Sequence, residues 1–326
     1  INNPDTKENT IEQSNTEKKP YLASNHKFVA HRRHIFKNSL LAFPAPSDNA
    51  SSIRKAKIMS ENMINKSNAT ETAIPAIDPK KIDGKLVSDL VKKNITEEIK
   101  AINLKLSEEG KPSFKPHLSI IQVGNKSDSS IYVKTKLASC EKVGIATSFI
   151  KYDDQITQEE LLNKIKELNE DNDIDAILVQ LPLPSHLDEN LITDFIDPKK
   201  DVDGFHSMNI GLLAKRNHEP FFEPCTPRGI IRLLSNYNIS LVGKHAVVIG
   251  RSNIVGMPIG HLLMDNDCTV TICHSKTINL PDLVKQADIL VVAIGDPQYI
   301  KADWIKPGAV VIDVGMNSID DSTRKS

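Results

Sequence analysis

Long apolar runs are missing from this 326-residue chain. No stretch of about 18 apolar residues occurs, which excludes a membrane-spanning helix by hydropathy. Net charge is almost missing too: 41 Lys and Arg face 42 Asp and Glu, a formal charge of -1. Such a chain has no general pull on nucleic acid or on an anionic membrane, so neither is expected as a partner. Cysteine is scarce. Cys140, Cys225, Cys268 and Cys273 form no C-x-x-C pair, and their spacing suits neither a zinc site nor a disulfide framework. They read as reduced packing thiols of an intracellular protein, and no metal is expected. The signature G-x-x-x-x-G-K-[ST] is absent as well. "GNKSDSS", Gly124 to Ser130, has Ser119 where the earlier glycine belongs, so P-loop ATP chemistry is not expected.

What is present is a soluble globular balance, 39% hydrophobic and 25% charged, with length enough for two ordinary domains. Residues 1–80 are rich in Asn, Ser, Lys and Thr, show little periodicity, and read as a disordered or targeting extension. Within them, Lys27 to Pro46 carries Lys27, Arg32, Arg33 and Lys37 without an acid, a transit-peptide composition. Asp5, Glu8, Glu12 and Glu17 precede it and run against that reading, and Met59 or Met63 offers another start. Cytoplasm and mitochondrial matrix both stay open.

Order is predicted from about Ile82. Leu86, Leu90, Ile95, Ile99, Ile102 and Leu106 recur at helical spacing. Leu118 to Val123 reads as a buried strand, Leu137, Cys140 and Val143 as a helix face, and Ala176 to Leu181 as another buried strand. Thr157 and Glu160 make a capping box before Leu161 and Ile165. After "PCTPRG", Thr226 is placed to cap a helix with Pro227 at its first position. Four apolar runs follow: Ala246–Ile249, Thr269–Cys273, Ile289–Ala293 and Val310–Val314. The alternation predicts an α/β protein of two doubly wound lobes. The lobes are residues 81–226 and a Rossmann-type unit at 227–318, with a ligand cleft between them.

"VVIGRSNIVGMP" is the dinucleotide-loop candidate. It is not G-x-G-x-x-G, because Ser252 replaces the second glycine. Gly250 permits a tight turn, Gly256 allows close approach, and the helix start offers free N–H groups to a pyrophosphate. The next strand ends "CHSKT" without the acid that meets a free ribose 2′-hydroxyl. Arg251, Ser275 and Lys276 supply cations and a hydroxyl instead, which favours NADP over NAD; the bland alternative is solvent-exposed loop charge. In the first lobe, "SIYVKTK" sets Tyr132 and Lys136 one helical turn apart, on one face. Gln180 interrupts an apolar strand near its carboxyl end, and Asp201 and Asp203 flank a turn at Gly204. Each also has an ordinary structural reading: a surface lysine, an edge glutamine, an Asx-rich turn.

Together, "SSIYVKTKLASCEKVGI", "LVQLPLP", "KDVDGFHSMNIG", "PCTPRG", "VVIGRSNIVGMP", "CHSKT" and "VVIDVGMN" resemble the methylenetetrahydrofolate dehydrogenase/methenyltetrahydrofolate cyclohydrolase family, in that family's order. The style is similar to eukaryotic members, including the first domain of trifunctional one-carbon synthases. The resemblance implies tetrahydrofolate substrates, NADP, and a homodimer. It implies that Lys136 is the catalytic lysine, Tyr132 stacks on the folate, Gln180 accompanies the lysine, and Ser129 lies near it. It also implies that Asp203 anchors the pterin and that Arg251 and Ser275 meet the 2′-phosphate. Gly250, Ser252 and Gly256 complete the cofactor loop. Family members continue past "VVIDVGMN" through a glycine- and proline-rich segment and a long helix, so 319–326 reads as a truncated tail. Two rivals are another two-lobed NAD(P)-dependent dehydrogenase, such as one acting on a cyclic hydroxy acid, and an inactive cofactor-binding fragment.

Overall fold

The computed structural model describes residues 81–315; the extension assigned to 1–80 and the tail at 319–326 lie outside the described residues. The first lobe runs α1 (Gly84–Glu108), β1 (His117–Val123), α2 (Ser127–Val143), β2 (Ala146–Tyr152), α3 (Gln158–Glu170), β3 (Ala176–Val179), α4 (Glu189–Phe195) and α5 (Ser207–Leu213). The second runs α6 (Cys225–Asn236), β4 (His245–Ile249), α7 (Gly256–Asp265), β5 (Thr269–Cys273), α8 (Leu280–Val284), β6 (Ile289–Val292) and β7 (Val310–Asp313). The first sheet is ordered β2-β1-β3 and the second β5-β4-β6-β7. Every strand pair is parallel, with Ile121 beside Val179 and Ile249 beside both Cys273 and Val292.

Strands buried on both faces explain the near-continuous apolar runs. In the first lobe, Leu118, Ile120 and Leu178 pack under α1 and α2, while Ile121, Ile177 and Val179 pack under α3 and α4. In the second, Ala246 and Val248 pack under α6 and α7, and Val247 and Ile249 face the opposite cluster with Val284. The capping box forms as its sequence signature requires: the Glu160 N–H donates to Thr157 Oγ1 (3.2 Å) and the Thr157 N–H to Glu160 Oε2 (2.9 Å).

Two local expectations shift. On α1, Val87 and Val91 are buried with Ile95, Ile99, Ile102 and Leu106, whereas Leu86 and Leu90 are only half-buried. The i, i+4 row through Ile95 extends back to Val91 and Val87, and that row faces the core. Helix α6 begins one residue before the predicted cap. Pro224 takes the cap position in extended geometry, without a side-chain cap, and Thr226 lies inside the helix. Pro227 is tolerated because the first-turn N–H groups have no intrahelical acceptor.

Helix α6 touches the first lobe at both ends. Beside its start, Cys225 Sγ donates to Val202 O (3.4 Å). Just past its end, Tyr237 Oη accepts from the Asp83 N–H (2.6 Å), and Asp83 Oδ1 caps α1 through the Lys85 and Leu86 N–H groups.

Asp288, at the entry to β6, accepts from Lys306 Nζ (2.6 Å) and the His245 N–H (3.0 Å). Those two bonds, the lysine's first, lower its carboxyl from 3.8 to about 2. A depressed carboxyl contributes stability that is present above its unfolded pKa and lost as pH falls through the folded one. Melting temperature is therefore expected to drop between about pH 4 and pH 2, and Asp288→Asn to flatten that part of the profile. Thermal scans of both chains from pH 6 to pH 2 check this.

Candidate active site

Parallel strands bring their carboxyl ends to one edge, and the strand order reverses beside β1 and beside β4, where open α/β sheets take ligands. In the first lobe three chain segments end there. After β1 the chain turns through Gly124 into α2. After β3 comes Gln180, whose N–H donates to Ile121 O (2.8 Å). Residues 200–202 run beside β3 as a short extra row: the Ile177 N–H donates to Lys200 O (2.8 Å) and the Val202 N–H to Ile177 O (3.4 Å). Asp203 stands at the end of that row.

Lys136, on α2, donates from Nζ to Gln180 Oε1 (3.2 Å). Gln180 Nε2 in turn donates to Leu181 O (2.7 Å), which fixes the amide with its oxygen toward the lysine. The Leu181–Pro182 peptide that follows is cis. One turn before Lys136, Tyr132 is 40% exposed. Ser129 is buried in the first turn of the same helix. That turn is pinned to β1 by Gln122, whose Nε2 donates to Ser130 Oγ (3.0 Å) and Gly124 O (3.1 Å).

Asp203 is half-buried, and Cys225 Sγ donates weakly toward its Oδ1 (3.8 Å). Burial, reinforced by the Asp203 carboxylate, pushes the Cys225 thiol well above the usual range, while Lys136 pulls the other way. Lys136 also opposes the burial that raises Cys140 to about 11. One ammonium thus acts on the thiols of Cys140 in α2 and Cys225 at the start of α6, and Lys136, Asp203 and the start of α6 share one neighbourhood. The turn carrying Asp203 is tight. Gly204 has φ of 70°, and a Cβ there would lie 2.7 Å from the Glu223 carbonyl carbon.

In the second lobe, Gly250 follows β4 with φ of 115°, and a Cβ on it would lie 2.3 Å from Ala293 O. A Cβ on Gly256 would lie 2.3 Å from Gly250 O. The two glycines are required for the loop to close onto α7. Arg251 and Ser275 are both exposed and follow the paired ends Ile249 and Cys273 of adjacent strands. No carboxylate stands at the end of β5, so the residues present fit a 2′-phosphorylated ribose. One expectation changes. The N–H groups of Val255 and Gly256 are not free but donate to Ser252 Oγ at 3.2 and 3.3 Å. Ser252 holds the helix start with these two long bonds.

The structure therefore joins Lys136 to Gln180 and Asp203 to Cys225, and keeps Gly250, Arg251, Ser252, Gly256 and Ser275 together at the second sheet's edge. Sequence reasoning missed Cys225, Gln122 and Asn209. Gln122 interrupts "SIIQV" as Gln180 interrupts "AILVQ", so the same signal was available for it. Two surface cavities, of 650 and 590 Å3, are lined by other residues, among them Leu137 and Phe149 in one and Arg228 and Arg232 in the other.

Gly250→Ala is expected to destabilise the second lobe by about 2 kcal/mol or more, because it combines a disallowed φ with a backbone clash. NADP binding should be lost with it. Calorimetric titration with NADP alongside a thermal scan checks both.

Family models for the tetrahydrofolate dehydrogenase/cyclohydrolase catalytic domain and NAD(P)-binding domain match residues 82–203 and 224–326. The chain is 46% identical over 260 residues to the bifunctional protein FolD of Porphyromonas gingivalis, covering 78% of this chain and 83% of that protein. It is 49% identical over 245 residues to the mitochondrial C-1-tetrahydrofolate synthase of Saccharomyces cerevisiae, covering 75% of this chain. It spans only 25% of that synthase's length. Among solved structures, the Campylobacter jejuni FolD bifunctional enzyme aligns with a TM-score of 0.66 at 41% identity, over 73% of this chain and 82% of the other. The Trypanosoma brucei dehydrogenase–cyclohydrolase, complexed with NADP cofactor and inhibitor, aligns at 0.68 and 36% identity, over 74% and 81%. The chain belongs to the tetrahydrofolate dehydrogenase/cyclohydrolase family.

Proposed function

We propose that this chain oxidises 5,10-methylenetetrahydrofolate with NADP and hydrolyses the methenyl product to 10-formyltetrahydrofolate. The observation that carries the reading is the Lys136–Gln180 hydrogen bond, an ammonium held at the carboxyl end of the first sheet beside Asp203 and Tyr132. Bound NADP would accept the hydride. The rest falls to the chain's own residues. Tyr132 stacks on the pterin side of the folate, and Asp203 accepts from its ring nitrogens. Lys136 reaches the one-carbon bridge, with Gln180 aiming its ammonium and Ser129 two turns earlier on the same helix. In the second step water adds to the cationic bridge carbon and releases one proton to solvent; the bond from that carbon to N5 then opens as the hydroxyl proton is passed to N5 and the formyl carbonyl forms on N10. Lys136 handles that proton.

Residues 81–226 form the folate lobe and 227–318 the NADP lobe. Gly250, Ser252 and Gly256 receive the pyrophosphate, and Arg251 and Ser275 the 2′-phosphate. The working unit is a homodimer in the cytoplasm or mitochondrial matrix. Relatives whose names place them in both compartments support that range, and no helix among the described residues is long and apolar enough to cross a membrane.

The test supplies methylenetetrahydrofolate with NADP or NAD and follows reduced nicotinamide together with the methenyl intermediate. Turnover that prefers NADP, with little methenyl accumulating, is expected. NADP binding without turnover would favour the inactive-fragment reading. Lys136→Met should lower cyclohydrolase activity by about 100-fold or more, the usual worth of acid–base catalysis, and leave NADP affinity unchanged. Arg251→Ala should cost about 1.5–3 kcal/mol of NADP binding, the worth of a charged hydrogen bond, and leave NAD binding nearly unaltered. Comparing KM for the two cofactors reads this directly.

A further inference from the structure

Asn209, on α5, is fully buried and its amide is completely used. Nδ2 donates to Pro198 O (3.0 Å) and Asp201 Oδ2 (2.9 Å), and Oδ1 accepts from the N–H groups of Phe221 (3.0 Å) and Phe222 (3.4 Å). Two donors and two lone pairs are all that an asparagine has. Its carboxylate partner Asp201 is 2% exposed and also accepts from the Gly204 N–H (3.1 Å) and the His206 N–H (2.9 Å). Asp201 thus closes the base of the turn from 201 to 206, on which Asp203 rides. Asn209 ties that base to the 221–222 backbone, three residues before Cys225, whose thiol points at Asp203. The turn and the wall it leans on share this one amide.

We propose that Asn209 and Asp201 are positioning residues that together set where the Asp203 carboxylate stands, and so set folate affinity. The inference rests on the assignment of Asp203 to the folate. A donor facing an acceptor at each position is what holds the turn. Reversing either one leaves two carboxylates, or two donors, in contact within the protein, where an unmatched polar group is costly. Neither side chain touches the cofactor loop.

The test titrates the whole chain calorimetrically with tetrahydrofolate, and separately with NADP. Wild type, Asn209→Asp, Asp201→Asn and the exchanged pair D201N/N209D are compared. Each single variant is expected to weaken folate at least about tenfold, or about 1.4 kcal/mol. NADP affinity is expected to stay unchanged, and the exchanged pair, in which donor and acceptor trade places, should recover part of the loss. Single variants that bind folate as wild type does, or that lose folate and NADP together, overturn the inference. A wild-type chain that binds NADP but no folate overturns the proposed function, and this inference with it. Asp201→Asn preserves side-chain shape and carries the test if Asn209→Asp does not fold; NADP binding reports the folded fraction in every case.

Discussion

The constraint on which the site depends is the passage of one backbone against another at Gly204. The first lobe's last strand-like row ends there, and the segment leading into α6 crosses it so closely that no side chain fits between. Everything local follows from that crossing. It sets Cys225 against Val202 and Asp203, brings the start of α6 to the edge of the first sheet, and leaves Lys136 acting on the thiol at that helix start. Hydrogen bonds that would otherwise go to water must then be made internally, which is the work of Asp201 and Asn209.

The two lobes solve the same problem twice. In each, a central strand is flanked by the strand that follows and by the strand after that, so the chain reverses direction across the sheet beside β1 and beside β4. Loops leaving the carboxyl ends diverge at that point and open a crevice. The first lobe fills its crevice edge with side chains: Lys136, Gln180 and Asp203. The second keeps its edge nearly bare, with Gly250 and Gly256 interlocked by backbone and Arg251 and Ser275 exposed at adjacent strand ends. One edge presents an ammonium, an amide and a carboxylate; the other presents backbone that no side chain covers.

Much of this was legible in the residues. Apolar runs located the strands because parallel strands are buried on both faces, and the Thr157–Glu160 capping box is a purely local device. Gln180 announced itself by breaking an apolar run. Helix-end detail was less legible. Pro224, not Thr226, occupies the cap of α6, because the tertiary crossing at Gly204 fixes where the chain becomes helical. The stripe on α1 drifted to Val87 and Val91 for a similar reason: propensity and spacing do not say which of two neighbouring rows meets the sheet. Asn209 was invisible. It sits in a seven-residue helix too short to show periodicity, and its partners lie up to 13 positions away. The N–H groups at the start of α7 are not free as the loop sequence suggests, since Ser252, three and four residues upstream of Val255 and Gly256, accepts from both.

Helix α6 is held at both ends by the first lobe, through Cys225 on Val202 at one end and Tyr237 on Asp83 at the other. Its 12 residues span about 18 Å. Two anchor points on a stiff rod favour rotation about the rod over other relative motions, and the packing of Leu213 of α5 against Ile259 and Leu262 of α7 limits even that rotation. Any breathing of the lobes that keeps both anchors is therefore chiefly a swing about the α6 axis. Displacement in such a swing grows with distance from that axis and vanishes on it. The carboxylate of Asp203, set against the axis end, is the part of the site that such motion disturbs least.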